Sequence, residues 1–305
     1  MLDVLRLISQ WSVPTFIVSS MLAAGLGLRP RAVLGALARP RLVTGALVIN
    51  FVVAPAVGYA ITRLFHLQPA HAVGLLLLAC AAGAPFAPKL AEAAREDVPL
   101  AVALMALFTV GTIVVMPLAL PLLTPGFSVS AGAIVRALVP VMVIPLVVGT
   151  IVGARAPRSA ATVLPFVRAI ASVSLVMLLV LVIGLNTPAL WSVVGSGAFA
   201  ASLVFIAVVF AIGYVSGGAR RELRAGLGLA TAARNVGAAV PVAAAGHNPE
   251  VMVMILVATV GELVVCVGAV AWIRRGKGGT PEGGPSTEPA VGAVERGAGV
   301  ATHRQ

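Results

Sequence analysis

Charge is what this sequence has least of. Asp, Glu, Lys and Arg make up 10% of 305 residues, and 60% are hydrophobic; a soluble domain carries about 25% charged residues. So few charges cannot cover a water-facing surface of this size. Long stretches have none at all: Leu42 to Thr62, Ala137 to Ala154 and Ala169 to Ala219. Aspartate occurs only at Asp3 and Asp97. No His-Glu-x-x-His run is present, and His66, His71 and His247 fall at the edges of apolar segments, where they read as solvated. The paired groups of an intramembrane enzyme are therefore missing. The two cysteines, Cys80 and Cys266, both lie in apolar segments and read as packing residues. They exclude a disulfide framework or a metal cluster, and neither a metal nor a cofactor is expected. Aromatics are 5% of the chain and do not interleave with any basic run. The net charge of +11 thus does not point to nucleic acid, which needs stacking platforms. Only Lys89 and Lys277 among 21 basic residues are lysine, as in a GC-rich bacterial gene.

What remains is long, continuous, Ala- and Leu-rich apolar sequence. About 20 such residues cross a bilayer as a helix, whereas a barrel would show alternating segments of about 10. The chain reads as an all-α polytopic membrane protein of nine spans, at 11–28, 41–64, 71–95, 98–123, 130–154, 162–186, 193–216, 222–246 and 249–273. Residues 11–273 form the transmembrane domain, and 276–305 a disordered cytoplasmic tail. Arg29 to Arg41 reads as a basic interfacial segment. Its four arginines, at 29, 31, 39 and 41, also argue against a cleaved signal peptide in the first span. Thirteen basic residues flank one side of the nine spans and three the other, Arg6, Arg63 and Arg136. Positive-inside then puts the N-terminus outside and the C-terminus in the cytoplasm of a cell (inner) membrane.

The third span is interrupted by Ala82-Gly83-Ala84-Pro85-Phe86-Ala87-Pro88. The eighth is interrupted around Arg234-Asn235-Val236-Gly237 and by Pro241. Proline removes backbone donors and disfavours helix before it, and glycine loosens the chain. Spans 1–4 (11–123) and 6–9 (162–273) have the same layout and opposite topology, with 130–154 as the linking helix. Paired broken helices in inverted repeats point to a binding site at the midplane. Gly83, Pro85, Pro88, Gly237 and Pro241 are expected at the crossing of the two breaks.

From Ser12 to Ile273 the sequence resembles the bile acid:sodium symporter family. The anchors are Gly74-Leu75-Leu76-Leu77-Leu78-Ala79-Cys80 before the first break, Ala232-Ala233-Arg234-Asn235-Val236-Gly237 in the second, and Arg95-Glu96-Asp97-Val98-Pro99-Leu100 between. The resemblance implies a panel domain, a core domain of crossed broken helices, and alternating access of an organic anion or related solute. It also marks departures. Sodium-coupled members carry Pro-Gly-Gly-Thr-x-Ser-Asn in the first break and Glu-x-Gly-x-Gln-Asn in the second. They carry Ser and Thr where this chain has Ala101 and Met105. Asn235, and Asn50 in place of a Gln, are the surviving ligand types. Sodium binding is therefore doubted, and a sodium-independent or proton-coupled cycle is expected. An arsenite-permease-like transporter of the same superfamily would want a Cys in the first break and an acid in the second; Cys80 fits loosely and Arg234 does not. A non-transporting membrane sensor is the remaining alternative, with no output domain in the tail to favour it.

The substrate-binding or coupling candidates are Arg234, Asn235, Lys89, Glu262 and Asn50. Lys89, Arg234 and Glu262 are ionisable groups at membrane depth, where each costs about 2.5–3.5 kcal/mol at a helix centre. Two roles stand open for Arg234: a structural pair with Glu262, or a fixed charge whose fork holds a carboxylate. In the second case Glu262 balances the charge and takes a proton during the cycle. Arg168 is expected to snorkel to the cytoplasmic interface. Thr109 and Thr112 are expected to back-bond within their own helix. The partners implied are a small solute and the lipid bilayer.

Overall fold

The structure is a computed structural model and describes residues 2–28, 35, 38–124, 129–185, 196–218 and 221–278. Most of the segment 29–41 and of the tail 276–305 lies outside these residues. The described residues form eleven helices and no strand. In chain order they are α1 (Leu2–Gly27), α2 (Pro40–Leu64), α3 (Pro69–Cys80), α4 (Ala87–Ala93), α5 (Val98–Leu123), α6 (Ala131–Arg155), α7 (Pro157–Leu185), α8 (Ala198–Ser216), α9 (Arg221–Ala232), α10 (Val236–Ala245) and α11 (Pro249–Gly278). Six of them, α2, α5, α6, α7, α8 and α11, are long and apolar enough to cross a bilayer. Pro14–Gly27 within α1, α3 and α10 are shorter apolar helices. The interrupted third and eighth segments are thus each two helices, α3 with α4 and α9 with α10. α11 runs to Gly278, three residues into the segment read as tail.

The outer surface is apolar, the reverse of a soluble protein. On α5, Val110, Val114, Leu118 and Leu122 are all more than half exposed. Their spacing of four lines them along one face. Phe166, Ile170 and Val173 are likewise exposed along one face of α7. A contiguous apolar stripe of this kind needs an apolar surrounding, and helices satisfy their backbone groups within themselves, as lipid demands.

The helices pack as two groups. α1 lies against α6 and α7. Gly25 makes the first contact possible: a Cβ there would strike the Leu146 carbonyl, and one on Gly149 would come within 2.5 Å of the Leu22 carbonyl. Such close backbone approach through small residues is how helices associate in lipid. In the second group α3 packs on α2, α5, α10 and α11, while α8 packs on α2, α9 and α11. α10 touches both groups, through α1 and the first half of α6.

α2 is not a regular helix. Residues Ile49–Val53 form a widened π-turn, with Asn50 buried inside it. Pro55, which cannot donate to Phe51, follows the turn after a single residue. Single π-turns of this sort recur at functional sites.

Candidate functional site at the crossing of two broken helices

The two breaks meet. Ala82 and Arg234 form an isolated antiparallel bridge, and the Asn235 N–H donates to the Ala81 carbonyl at 2.9 Å. The touching residues are Ala81 to Gly83 and Arg234 to Asn235. Pro85 and Pro88, expected at the crossing, instead line a neighbouring cleft with Phe86 and Lys89, while Ala87 between them packs with Ala84 and Ala233. Pro88 sits in the first turn of α4, where a missing N–H costs nothing. Gly237 and Pro241 lie within α10 and not in the unwound segment.

Each strand of the crossing has lost its helical partners, and side chains replace them. The Thr112 hydroxyl accepts from Ala82 N and donates to Ala82 O, both at 2.9 Å. Thr109 donates to Gly83 O at 3.1 Å as well as to Met105 O at 2.8 Å in its own helix. The expectation that these threonines only back-bond within α5 is corrected: a broken neighbour offers orphan carbonyls that an intact one would not. Gly83 has φ +85°, and a Cβ on it would meet Thr109 N at 2.5 Å. Only glycine fits both conditions. Asn235 is fully buried. Its Oδ1 caps α10 by accepting from Ala238 N at 3.2 Å, and its Nδ2 donates to Gly83 O at 3.1 Å. One side chain thereby ties the second break to the first.

Arg234 is 0% exposed and has the largest of the fully buried side chains. Its Nε and Nη2 donate to Thr231 O at 3.1 and 2.6 Å. Nη1 donates to Ala79 O at 3.1 Å, and Nη2 also to Asn50 Oδ1 at 2.6 Å. Asn50 is held in turn by its Nδ2, which donates to Ala46 O at 3.0 Å. Glu262, also 0% exposed, meets Arg234 in an unexpected way. Its Oε1 accepts from the backbone N–H of Arg234 at 2.7 Å. Oε2 is buried with no hydrogen-bond partner among the described residues. Arg234, Asn235, Asn50 and Glu262 therefore form one buried cluster, and the Arg234 fork is engaged by the protein's own oxygens.

Lys89 stands apart from them. Its Nζ donates to Ser172 Oγ at 3.0 Å, reaching across to α7. It lines a cleft of about 140 Å³ between α1 and α7 on one side and the first break, α4 and α5 on the other. Phe16, Phe86, Val102, Met105 and Leu175 form its apolar walls, and Arg168, Ser172, Glu92 and Ser20 join Lys89 as its polar groups. Arg168, expected only to snorkel, is a cleft residue: its Nη2 lies 3.4 Å from where a Cβ on Gly27 would be. The signal available for it was a lone arginine set four residues before a serine on one helix face.

Three remaining readings can be placed. Cys80 and Cys266 are free thiols buried in the apolar core. His66 and His247 are exposed at positive-φ corners. His71 is buried at 6% exposure, which corrects the expectation of solvation: α3 packs tightly on α11 where a loop edge was expected.

Residues 14–193, more than half of the chain, match the sodium bile acid symporter family. The chain belongs to that family. Two curated relatives come from Arabidopsis thaliana. One, named "Probable sodium/metabolite cotransporter BASS3, chloroplastic", is 24% identical over 195 residues, which is 64% of this chain and 45% of the relative. The other, BASS1 of the same description, is 25% identical over 185 residues, 59% of this chain and 46% of the relative. The chain thus spans under half the length of the curated relatives it matches. The family is one of transporters and not of enzymes. Its match includes Asn50, Gly83 and Lys89 and ends before the second break, so Arg234 and Glu262 lie beyond it.

Proposed function

We propose that this protein is a secondary transporter that moves a small organic anion by alternating access through the cleft between α1–α7 and the α3–α4 break. The observation that carries the reading is the meeting of Lys89 and Arg168 in that cleft, one from each packing group, among apolar walls. A guanidinium holds a carboxylate with two parallel hydrogen bonds, an ammonium adds a mobile charge, and the walls take an apolar body. Because the two cations sit on different groups, a bound anion draws them together, and relative movement of the groups exposes it to either side.

Nine spans in two inverted repeats, 11–123 and 162–273, suit this mechanism. Supporting them are the two matched breaks and the thirteen-to-three distribution of basic residues. The same distribution gives an outside N-terminus and a cytoplasmic C-terminus in a cell membrane. Glu262 balances Arg234, and its Oε2, without a hydrogen-bond partner among the described residues, is the place for a coupling proton. Glu262→Gln is expected to flatten the pH dependence of uptake.

A thermal-shift screen of organic anions on purified protein tests the reading. At least one anion should raise the melting temperature, and the gain should vanish in Lys89→Gln and Arg168→Gln. Uptake of that anion into proteoliposomes separates a transporter from a sensor. An anion whose stabilisation survives both substitutions would contradict the cleft assignment.

A further inference from the structure

The crossing gathers oxygen atoms in a way that calls for a cation. α3 ends at Cys80 and α9 at Ala232, so the carbonyls of their last turns lack helical partners. The negative ends of both helices converge there. Ala79 O and Thr231 O belong to those last turns, and Asn50 Oδ1 joins them from the π-turn of α2. Three oxygens from three helices surround one buried side chain, that of Arg234. Half-helix C-terminal ends and unwound carbonyls are the usual ligands of a dehydrated alkali cation in transporters.

Here the place of such a cation is already filled. The Arg234 guanidinium makes its four hydrogen bonds to these three oxygens, at 2.6–3.1 Å. The carboxylate of Glu262 lies on the same residue, bound to its N–H. A sodium ion brought beside the guanidinium would be repelled, more strongly than in water because the surroundings are of low dielectric. The two relatives carry "sodium" in their names, which makes the filled socket a point of contrast.

We propose that Arg234 is a tethered cation standing where a monovalent metal ion would otherwise bind, and that removing its side chain opens a sodium site. The ligands of that site are Asn50 Oδ1, Ala79 O and Thr231 O, with Glu262 as the balancing carboxylate. This rests on the transporter reading above, but sodium binding is measured with no solute present, so either can fail alone.

The test is equilibrium binding of radioactive sodium to the purified full-length protein, at constant ionic strength with choline as the replacing cation. Wild type and Arg234→Lys should show no saturable binding. Arg234→Ala should bind sodium saturably, and Asn50→Ala added to it should weaken binding by at least about tenfold, a loss of 1.4 kcal/mol. Melting temperature gives a second readout: sodium should raise that of Arg234→Ala relative to choline and leave that of wild type unchanged. Saturable sodium binding to the wild type would overturn the proposal. So would a folded Arg234→Ala that binds none, or one recovered only as aggregate in sodium and choline alike, since the opened socket would then have failed to accept the ion.

Discussion

Arg234 and Arg168 carry the same guanidinium on helix-rich apolar sequence, and the protein uses them in opposite ways. Arg234 is sealed at a crossing of two chain breaks and spends its donors on three fixed oxygens. Arg168 stands exposed at the wall of a cleft, beside Gly27 and one turn from Ser172. Burying a charge costs several kcal/mol unless it is paired and hydrogen-bonded, so the first arginine must be part of the architecture. In the proposed transport cycle the second offers its donors to a solute. Position in the fold, not residue type, divides the sealed charge from the open one.

The sharpest break of this comparison is to remove both side chains in turn. Arg234→Met should cost about 3–5 kcal/mol, because it leaves Glu262 and three oxygens without their cation. Arg168→Met should stay within about 0.5 kcal/mol, as surface changes do. Melting in detergent measures both, and equal losses would erase the distinction.

Gly83→Ala should come next. It adds about 1–2 kcal/mol of left-handed backbone strain and about 1–3 kcal/mol of overpacking against Thr109. Its melting point should fall even though nothing in the cleft has changed. Thr112→Val should cost about 1–3 kcal/mol by stranding both polar groups of Ala82; a change nearer zero would mean that water replaces the hydroxyl. Smallest in stability is Lys89→Gln, within about 0.5 kcal/mol. Its effect should appear in anion-dependent stabilisation instead, which sharpens the contrast from the cleft side.

Much of the fold was legible before the structure. Uninterrupted apolar runs gave some helices closely, as 98–123 against Val98–Leu123 shows, whereas α1 begins at Leu2, nine residues before the expected start at 11. Pro85, Pro88 and Gly83 announced the first break because proline and glycine act locally. The second break had no proline within it, and Pro241 drew attention seven residues too far from Arg234's contact with Ala82. Pairing across the crossing was not legible. It depends on Thr109 and Thr112 facing a neighbouring helix, and helical period alone cannot say which neighbour that is. Arg234, Asn235, Asn50 and Glu262 stood out as polar groups in apolar sequence, and the structure brings all four together. Arg168 was missed because its position near a helix end offered an adequate interfacial explanation. The cleft that gives it another use is made by α1 and α5, distant in sequence.

The most direct measurement is the initial rate of uptake, into proteoliposomes, of the anion that the thermal-shift screen selects. Sodium is replaced stepwise by choline at constant ionic strength. If Arg234 supplies the cation of the crossing, the wild-type rate is unchanged across the series, and Arg234→Lys responds as the wild type does. A wild-type rate that climbs steeply and saturably with sodium would contradict the account.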